Sequence, residues 1–227
     1  MSAPDIVVGV LVPSGGSWKA KMSMSMLAMT MHFYSTNYAL NAKQALFFAN
    51  KRGSILPQLR QKMVEDALAQ TPKPTHLLFV DSDQTFPPDT LHRLLVHDVP
   101  VVACNIATKS PKSIPTARLR GKKGGDPIPV FSRPTSPALG EVWRIGAGIM
   151  LVKAEVFAEL PKPWFNLLWV DGIQDFTGED WWFCDRLEAA GIPIMIDHRV
   201  SRNVGHVGDK EYTHQDVEDA HGSKSDS

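Results

Sequence analysis

Short runs of apolar, often β-branched residues recur along the chain and are separated by stretches with helical spacing. The runs are IVVGVLVP (6–13), the segment before DSD from His76 to Val80, PVVACNI (100–106), the strand-like part of GAGIMLV and the closing IPIMID. A continuous apolar run of this length reads as a strand buried on both faces. Alternation of such strands with helices restricts the chain to an α/β class, a mostly parallel mixed sheet flanked by helices on both faces. The methionine-rich run from Lys21 to Phe33 is expected to be a helix, and ALFFAN (45–50) a second strand. A further helix is expected from an N-cap at Ser54 to about Ala69, with Leu56, Leu59, Met63, Val64, Ala67 and Leu68 as its apolar face. Pro87-Pro88-Asp89 should open another, ending near Asp98. From Lys109 to Gly140 the pattern dissolves into Pro, Gly and basic residues. Beyond it, GED starts a helix that Gly191 should stop before the final strand.

At 227 residues and 43% hydrophobic, the chain has enough apolar material for one globular domain, expected over residues 1–210. Residues 211–227 are acidic and expected to form a flexible tail, with HGSKSDS disordered. No run nears the ~18 apolar residues of a membrane span, and MSAPDIVVGVLVP lacks a basic leader. A soluble, cytoplasmic protein is the expectation. Cys104 and Cys184 sit in apolar surroundings and suit buried thiols rather than a disulfide framework or zinc site. The zero net charge conceals an asymmetry: 16 Lys/Arg face 8 Asp/Glu through residue 133, and 8 face 16 after it. A basic half meeting an acidic half suits a site for an anionic ligand and a cation together.

The sequence LLFVDSDQTF places two aspartates, Asp81 and Asp83, at the carboxyl end of a buried strand. Ligands of open α/β sheets bind at that edge. Two carboxylates one residue apart repel unless a cation stands beside them, and a hard divalent ion, Mn²⁺ or Mg²⁺, would bring a diphosphate with it. The plainer reading is an acidic turn capping the next helix. GED at 178–180 puts acids at a helix start, where the dipole favours them, and GHVG at 205–208 puts His206 on a loop between glycines.

The ordered set FVDSD, GAGIMLVKAEVF, GEDWWFCDRLEAAGIPIMID and GHVG resembles the GT-A-fold glycosyltransferases, in particular the small family-2-like group that includes phage-type members. The resemblance spans roughly residues 6–208 and implies a GT-A-type fold that binds a nucleotide-sugar, UDP-linked above all, through a divalent metal. It makes Asp83 a direct metal ligand, Asp81 a metal or ribose contact, and His206 the residue that completes the metal shell. Asp180 matches the catalytic base of inverting members, with Glu179 beside it, although retaining enzymes share the scaffold. Pro13, Ser14 and Gly15 match the loop that meets the nucleotide. Arg60 matches a phosphate or base contact, but Gln61 stands where the family carries asparagine. The mechanism implied is attack of an activated acceptor hydroxyl on the sugar, with the metal offsetting charge on the departing diphosphate.

Gly146, Ala147 and Gly148 suit close approach of the backbone to a sugar, or else form a simple bulge. Trp181 could stack on the sugar and Trp182 on the acceptor, or both could be core. Lys109, Arg118, Arg120, Lys122 and Lys123 form a basic run that is either a solvated loop or an acceptor contact. The acceptors open at this point are a hydroxylated base in phage DNA, a glycan, a lipid-linked sugar or a protein side chain. Two rival readings stand beside the transferase. DSDQT also fits the Asp-x-Asp-x-Thr signature of haloacid-dehalogenase-like phosphatases, with Asp81 as nucleophile, although that signature ends a first strand. A non-catalytic nucleotide-sugar-binding module is the other.

Overall fold

The structure is a computed structural model and describes residues 5–39, 43–122, 125–172 and 174–221. The chain begins with β1 (Ile6–Ser14), α1 (Ala20–Ala39), β2 (Gln44–Arg52), α2 (Leu56–Leu68), β3 (His76–Val80) and β4 (Gln84–Thr85). It continues through α3 (Thr90–Val96), β5 (Val101–Ala103), β6 (Arg118–Leu119), β7 (Ile128–Pro129), β8 (Leu139–Val142) and β9 (Ile149–Lys153). The last third holds α4 (Val156–Glu159), β10 (Leu168–Val170), β11 (Asp175–Thr177), α5 (Glu179–Ala189), β12 (Ile194–Asp197), α6 (His198–Ser201), β13 (Gly205–Val207), β14 (Glu211–Tyr212) and α7 (His214–His221).

Seven strands form the central sheet in the order β2-β1-β3-β9-β5-β12-β8. β2, β1 and β3 are parallel, as are β5 and β12, while β9 runs antiparallel between β3 and β5. The alternation of side chains sorts the core onto the two faces. Val8, Val10 and Val12 of β1 pack with Met22, Met26, Met29 and Phe33 of α1 and with Leu91 and Leu94 of α3. Leu11, Leu77 and Phe79 face the other way, onto Leu59, Met63 and Val64 of α2 and Phe183 and Leu187 of α5. A separate sheet, β14-β13-β4, stands beside the carboxyl edge of the main one.

Several boundaries differ from the sequence reading. α1 runs on to Ala39, and Asn37, buried one turn after Phe33, continues its inward stripe. Ser54 is not the N-cap of α2: Ile55 holds that position without a side-chain bond, and a proline in the first turn supplies the start. β5 stops at Ala103, since the Asn105 amide bonds the Ser201 hydroxyl and its side-chain oxygen accepts from Ala117 N–H. Gly191 does close α5, at φ 70°. The tail is ordered to His221: β14 pairs with β13, and α7 buries His214 and Val217, with His214 Nε2 2.7 Å from the Asn105 carbonyl oxygen. Residues 222–227 of HGSKSDS lie outside the described residues. No helix among the described residues is long and apolar enough to cross a membrane.

Phe183 is fully buried and stacks on Phe165 at 5.0 Å and Phe157 at 5.7 Å. Phe183→Ala should cost about 3–5 kcal/mol of unfolding free energy by loss of transfer energy and the cavity left behind, measured by urea denaturation.

Candidate active site

Asp81 leaves β3 at the carboxyl edge of the sheet, and its backbone N–H donates to the Gly148 carbonyl at 2.8 Å. That bond brings the GAG segment alongside DSD. A Cβ on Gly148 would lie 2.7 Å from Ile106 Cδ1 and 3.4 Å from Asp81 Oδ2, so a larger residue there would have to displace the buried Ile106 side chain. The chain then turns into β4, which pairs antiparallel with β13 so that His206 stands opposite Gln84. This two-residue ladder carries a histidine more than 120 positions away to the acidic turn.

Arg60 joins the two acidic motifs. Its Nη2 donates to Asp81 Oδ1 at 2.7 Å and its Nε to Glu179 Oε1 at 3.1 Å. The guanidinium is 1% exposed and lies 5.6 Å from the centre of the Phe79 ring. Its Nη1 is buried without a hydrogen-bond partner among the described residues. Burial opposes the charge on Arg60, but Asp81, Glu179 and Asp180 outweigh it and hold the guanidinium firmly ionised. The expected nucleotide contact of Arg60 is therefore replaced by an internal one, and Glu179 serves as an anchor for that arginine.

Asp83 faces outward from the turn. Lys109 Nζ donates to its Oδ2 at 2.5 Å, and His206 Nε2 lies 3.4 Å from its Oδ1. Burial by itself would raise the Asp83 carboxyl, but hydrogen bonds and charge from His206 and Lys109 prevail and hold it at about 2. His206 Nδ1 lies 3.0 Å from the Ala107 carbonyl, which can only accept, so that nitrogen carries a proton. In the neutral ring, Nε2 then turns a lone pair toward a carboxylate, an arrangement that calls for a proton or a cation between them. Among the described residues, no group of three or more His, Cys, Asp and Glu side chains stands close enough to hold a metal ion. Asp83 and His206 fit a cation completed by ligand oxygens; Asp81 is engaged with Arg60.

Asp180 sits in the first turn of α5, partly buried, with Oδ1 accepting from Trp181 N–H at 2.7 Å. Burial pushes its carboxyl up to about 6, helped by Glu179 and Asp81 and opposed by Arg60 and the Trp181 amide. A Cβ on Gly146 would lie 3.4 Å from Asp180 Oδ2, so the GAG segment borders the base candidate as well as DSD. Pro13, Ser14 and Gly15 line a cleft of about 330 Å³ with Gly53, Leu56, Leu59, Asp81, Ser82, Asp83, Lys109 and His206. The sequence reading did not single out Gly53, Leu56 or Leu59 for this cleft.

The basic run does not form one surface. Lys109 belongs to the DSD cleft, and Arg118 folds back onto the carbonyls of Pro115 and Ala117. Arg120 pairs with Glu188, lies 4.4 Å over Trp143 and lines a larger cleft of about 470 Å³ at the opposite end of the sheet, beside Ile192 and Ile194. Lys122 is exposed, and Lys123 lies outside the described residues. Arg144 covers Trp181 at 4.8 Å, while Trp182 donates to the Pro163 carbonyl at 3.0 Å and carries Arg186 at 4.4 Å. Both tryptophans thus have partners within the chain.

No family model matches the chain, and no curated protein sequence does. Among solved structures, A197 from STIV superposes with a TM-score of 0.59 at 14% identity, covering 92% of this chain and 91% of that one. The catalytic domain of Drosophila β1,4-galactosyltransferase 7 in complex with xylobiose covers 89% of this chain and 71% of its own, at 13% identity and a TM-score of 0.45. TarS 1-349 of S. aureus covers 84% and 58%, at 12% identity and 0.41. At these identities the likeness concerns the fold, and the two looser superpositions carry no argument. The chain shares its α/β fold with A197 from STIV, and its acidic turn lies at the carboxyl edge of the seven-stranded mixed sheet.

Asp180 has a testable energetic signature. Its folded-state carboxyl titrates near 6 against an ordinary 3.8, so the fold retains that proton more readily than the unfolded chain between those values. Stability from this group is present below pH 3.8 and lost as pH rises through 6. Asp180→Asn should therefore stabilise the protein by about 1–3 kcal/mol at pH 8, with the gain fading toward pH 4. Thermal or urea unfolding across that range measures it.

Proposed function

We propose that the protein is a metal-dependent glycosyltransferase that moves a sugar from a nucleotide-diphosphate-sugar, a UDP-sugar first among them, to an acceptor hydroxyl, with inversion. The observation that carries this reading is that Asp81, in the same turn as the Asp83–His206 pair, and Glu179, beside the raised Asp180 carboxyl, share the Arg60 guanidinium. Asp83 and His206 would hold Mn²⁺ or Mg²⁺, which when bound would offset negative charge on the leaving diphosphate.

Asp180 is the base in this scheme. Ionised above pH 6, it accepts the proton of the acceptor hydroxyl as that oxygen forms its bond to the sugar C1. The C1–O bond to phosphate breaks with its electron pair leaving on the diphosphate. Pro13, Ser14 and Gly15 meet the nucleotide in the cleft, and the glycines at 146 and 148 leave the sugar room beside DSD. Arg60 keeps Asp81 and Glu179 in place and adds positive charge beneath the site. Trp181 and Trp182 support α5 rather than a ligand.

The acceptor side is best supported at the β10–β11 hairpin, which leads into Gly178. There Trp169 and Phe176 are about half exposed and pack edge to face at 5.1 Å. Such ring faces suit a glycan acceptor. A base in DNA has less support, because Arg118 and Arg120 are turned onto the protein.

Incubation with UDP-, GDP- and other nucleotide-sugars and Mn²⁺ should release nucleoside diphosphate slowly into water and faster with oligosaccharide acceptors. Asp180→Asn should cut turnover by 10²- to 10⁴-fold with little change in nucleotide affinity. The kcat/KM profile should fall on the acid side with an apparent pKa near 6. Full activity of Asp180→Asn, or phosphate release from phosphomonoesters with no nucleotide-sugar turnover, would overturn the assignment.

A further inference from the structure

Lys109 stands apart from the rest of the basic run because its charge is spent inside the cleft. Its ammonium is 2.5 Å from Asp83 Oδ2, on the same carboxylate whose other oxygen faces His206. Residues 107–115 form a closed turn, with Ala107 bridged to Pro115 and Thr108 N–H donating to Ile114. The start of this turn positions both cleft groups: the Ala107 carbonyl holds His206, and Lys109 reaches Asp83 two residues later. Gly208 of GHVG makes the reach possible. A Cβ there would lie 2.9 Å from Lys109 Cδ and 3.4 Å from its Cγ, so the lysine stem crosses the backbone where a side chain would stand.

Both carboxylates of the turn are thereby neutralised from within the chain, Asp81 by buried Arg60 and Asp83 by Lys109. The two pairs differ in how easily they part. Arg60 is 1% exposed and bonded at two points, whereas the Lys109 side chain is 36% exposed on a flexible stem with one bond. A divalent ion held by Asp83 and His206 would place two positive charges against that ammonium, and the ammonium is the group free to move.

We propose that Lys109 is a displaceable counter-cation: it is the internal partner of Asp83 and must withdraw before a divalent ion can bind there. This rests on the reading of Asp83 and His206 as cation ligands. Its consequence is discrimination. A bare ion must compete with the lysine, whereas an ion arriving with a diphosphate brings oxygens that can receive the released ammonium.

The test is a calorimetric titration of Mn²⁺ alone into the full-length protein, its Lys109→Met variant and Lys112→Met as a control for loss of charge nearby. Each is repeated in the presence of UDP. Because the pair is partly exposed, Lys109→Met should bind bare Mn²⁺ about fivefold more tightly than the parent, and Lys112→Met unchanged. Mn²⁺ affinity in Lys109→Met equal to or weaker than the parent's, or equal tightening in Lys112→Met, overturns the role of Lys109 while leaving the function intact if UDP with Mn²⁺ still binds. Absence of Mn²⁺ binding by every variant, with UDP or without it, removes both.

Discussion

A fully buried guanidinium bonded to two carboxylates from distant segments is the constraint on which the site is built. Arg60 reaches up from α2 through the apolar core of one sheet face and meets Asp81 at the end of β3 and Glu179 at the start of α5. Such a charge is tolerable because carboxylates are bonded to it; with one removed, part of the buried charge would be left uncompensated at a cost of several kcal/mol. The pair of bonds therefore fixes the distance between the acidic turn and the helix that carries Asp180. It also lets three carboxylates, Asp81, Glu179 and Asp180, share one region without mutual repulsion prising the sheet edge open.

Division of labour among the acids follows. Asp81 and Glu179 are absorbed by Arg60, so Asp83 and Asp180 remain as the groups with outward chemistry. Their surroundings drive them in opposite directions. Asp83, between a lysine and a histidine, is held at about 2, whereas Asp180, burdened by burial and by Glu179, rises to about 6. Two carboxylates pushed apart in this way suit separate tasks, one as a permanent anion for a cation and the other as a proton acceptor near neutrality.

What could be read from the sequence was what depends on neighbours along the chain. The run from His76 to Val80 announces a buried strand, and DSD must then fall at its edge; GED before an amphipathic stretch announces a helix start in the same way. Partner choice was hidden. That Arg60 turns inward depends on Phe79 and Glu179, the latter 119 residues later. That Arg118 and Arg120 leave the site depends on local carbonyls and on Glu188, which a count of basic residues does not register. The tail looked flexible because its composition is acidic, yet His214 and Val217 dock α7 beneath the Asn105 loop. One signal was present and unread: the second glycine of GHVG marks the passage of the Lys109 stem.

The central claim is that this edge takes up a diphosphate together with a divalent ion. Its most direct measurement is UDP affinity with saturating Mn²⁺ and with chelator, in the parent protein and in Asp83→Asn. The account predicts tight binding by the parent with Mn²⁺, at least tenfold weaker binding with chelator, and in Asp83→Asn the weak value under both conditions. Equal affinity in the parent with and without the ion, or a metal response that survives in Asp83→Asn, would contradict it.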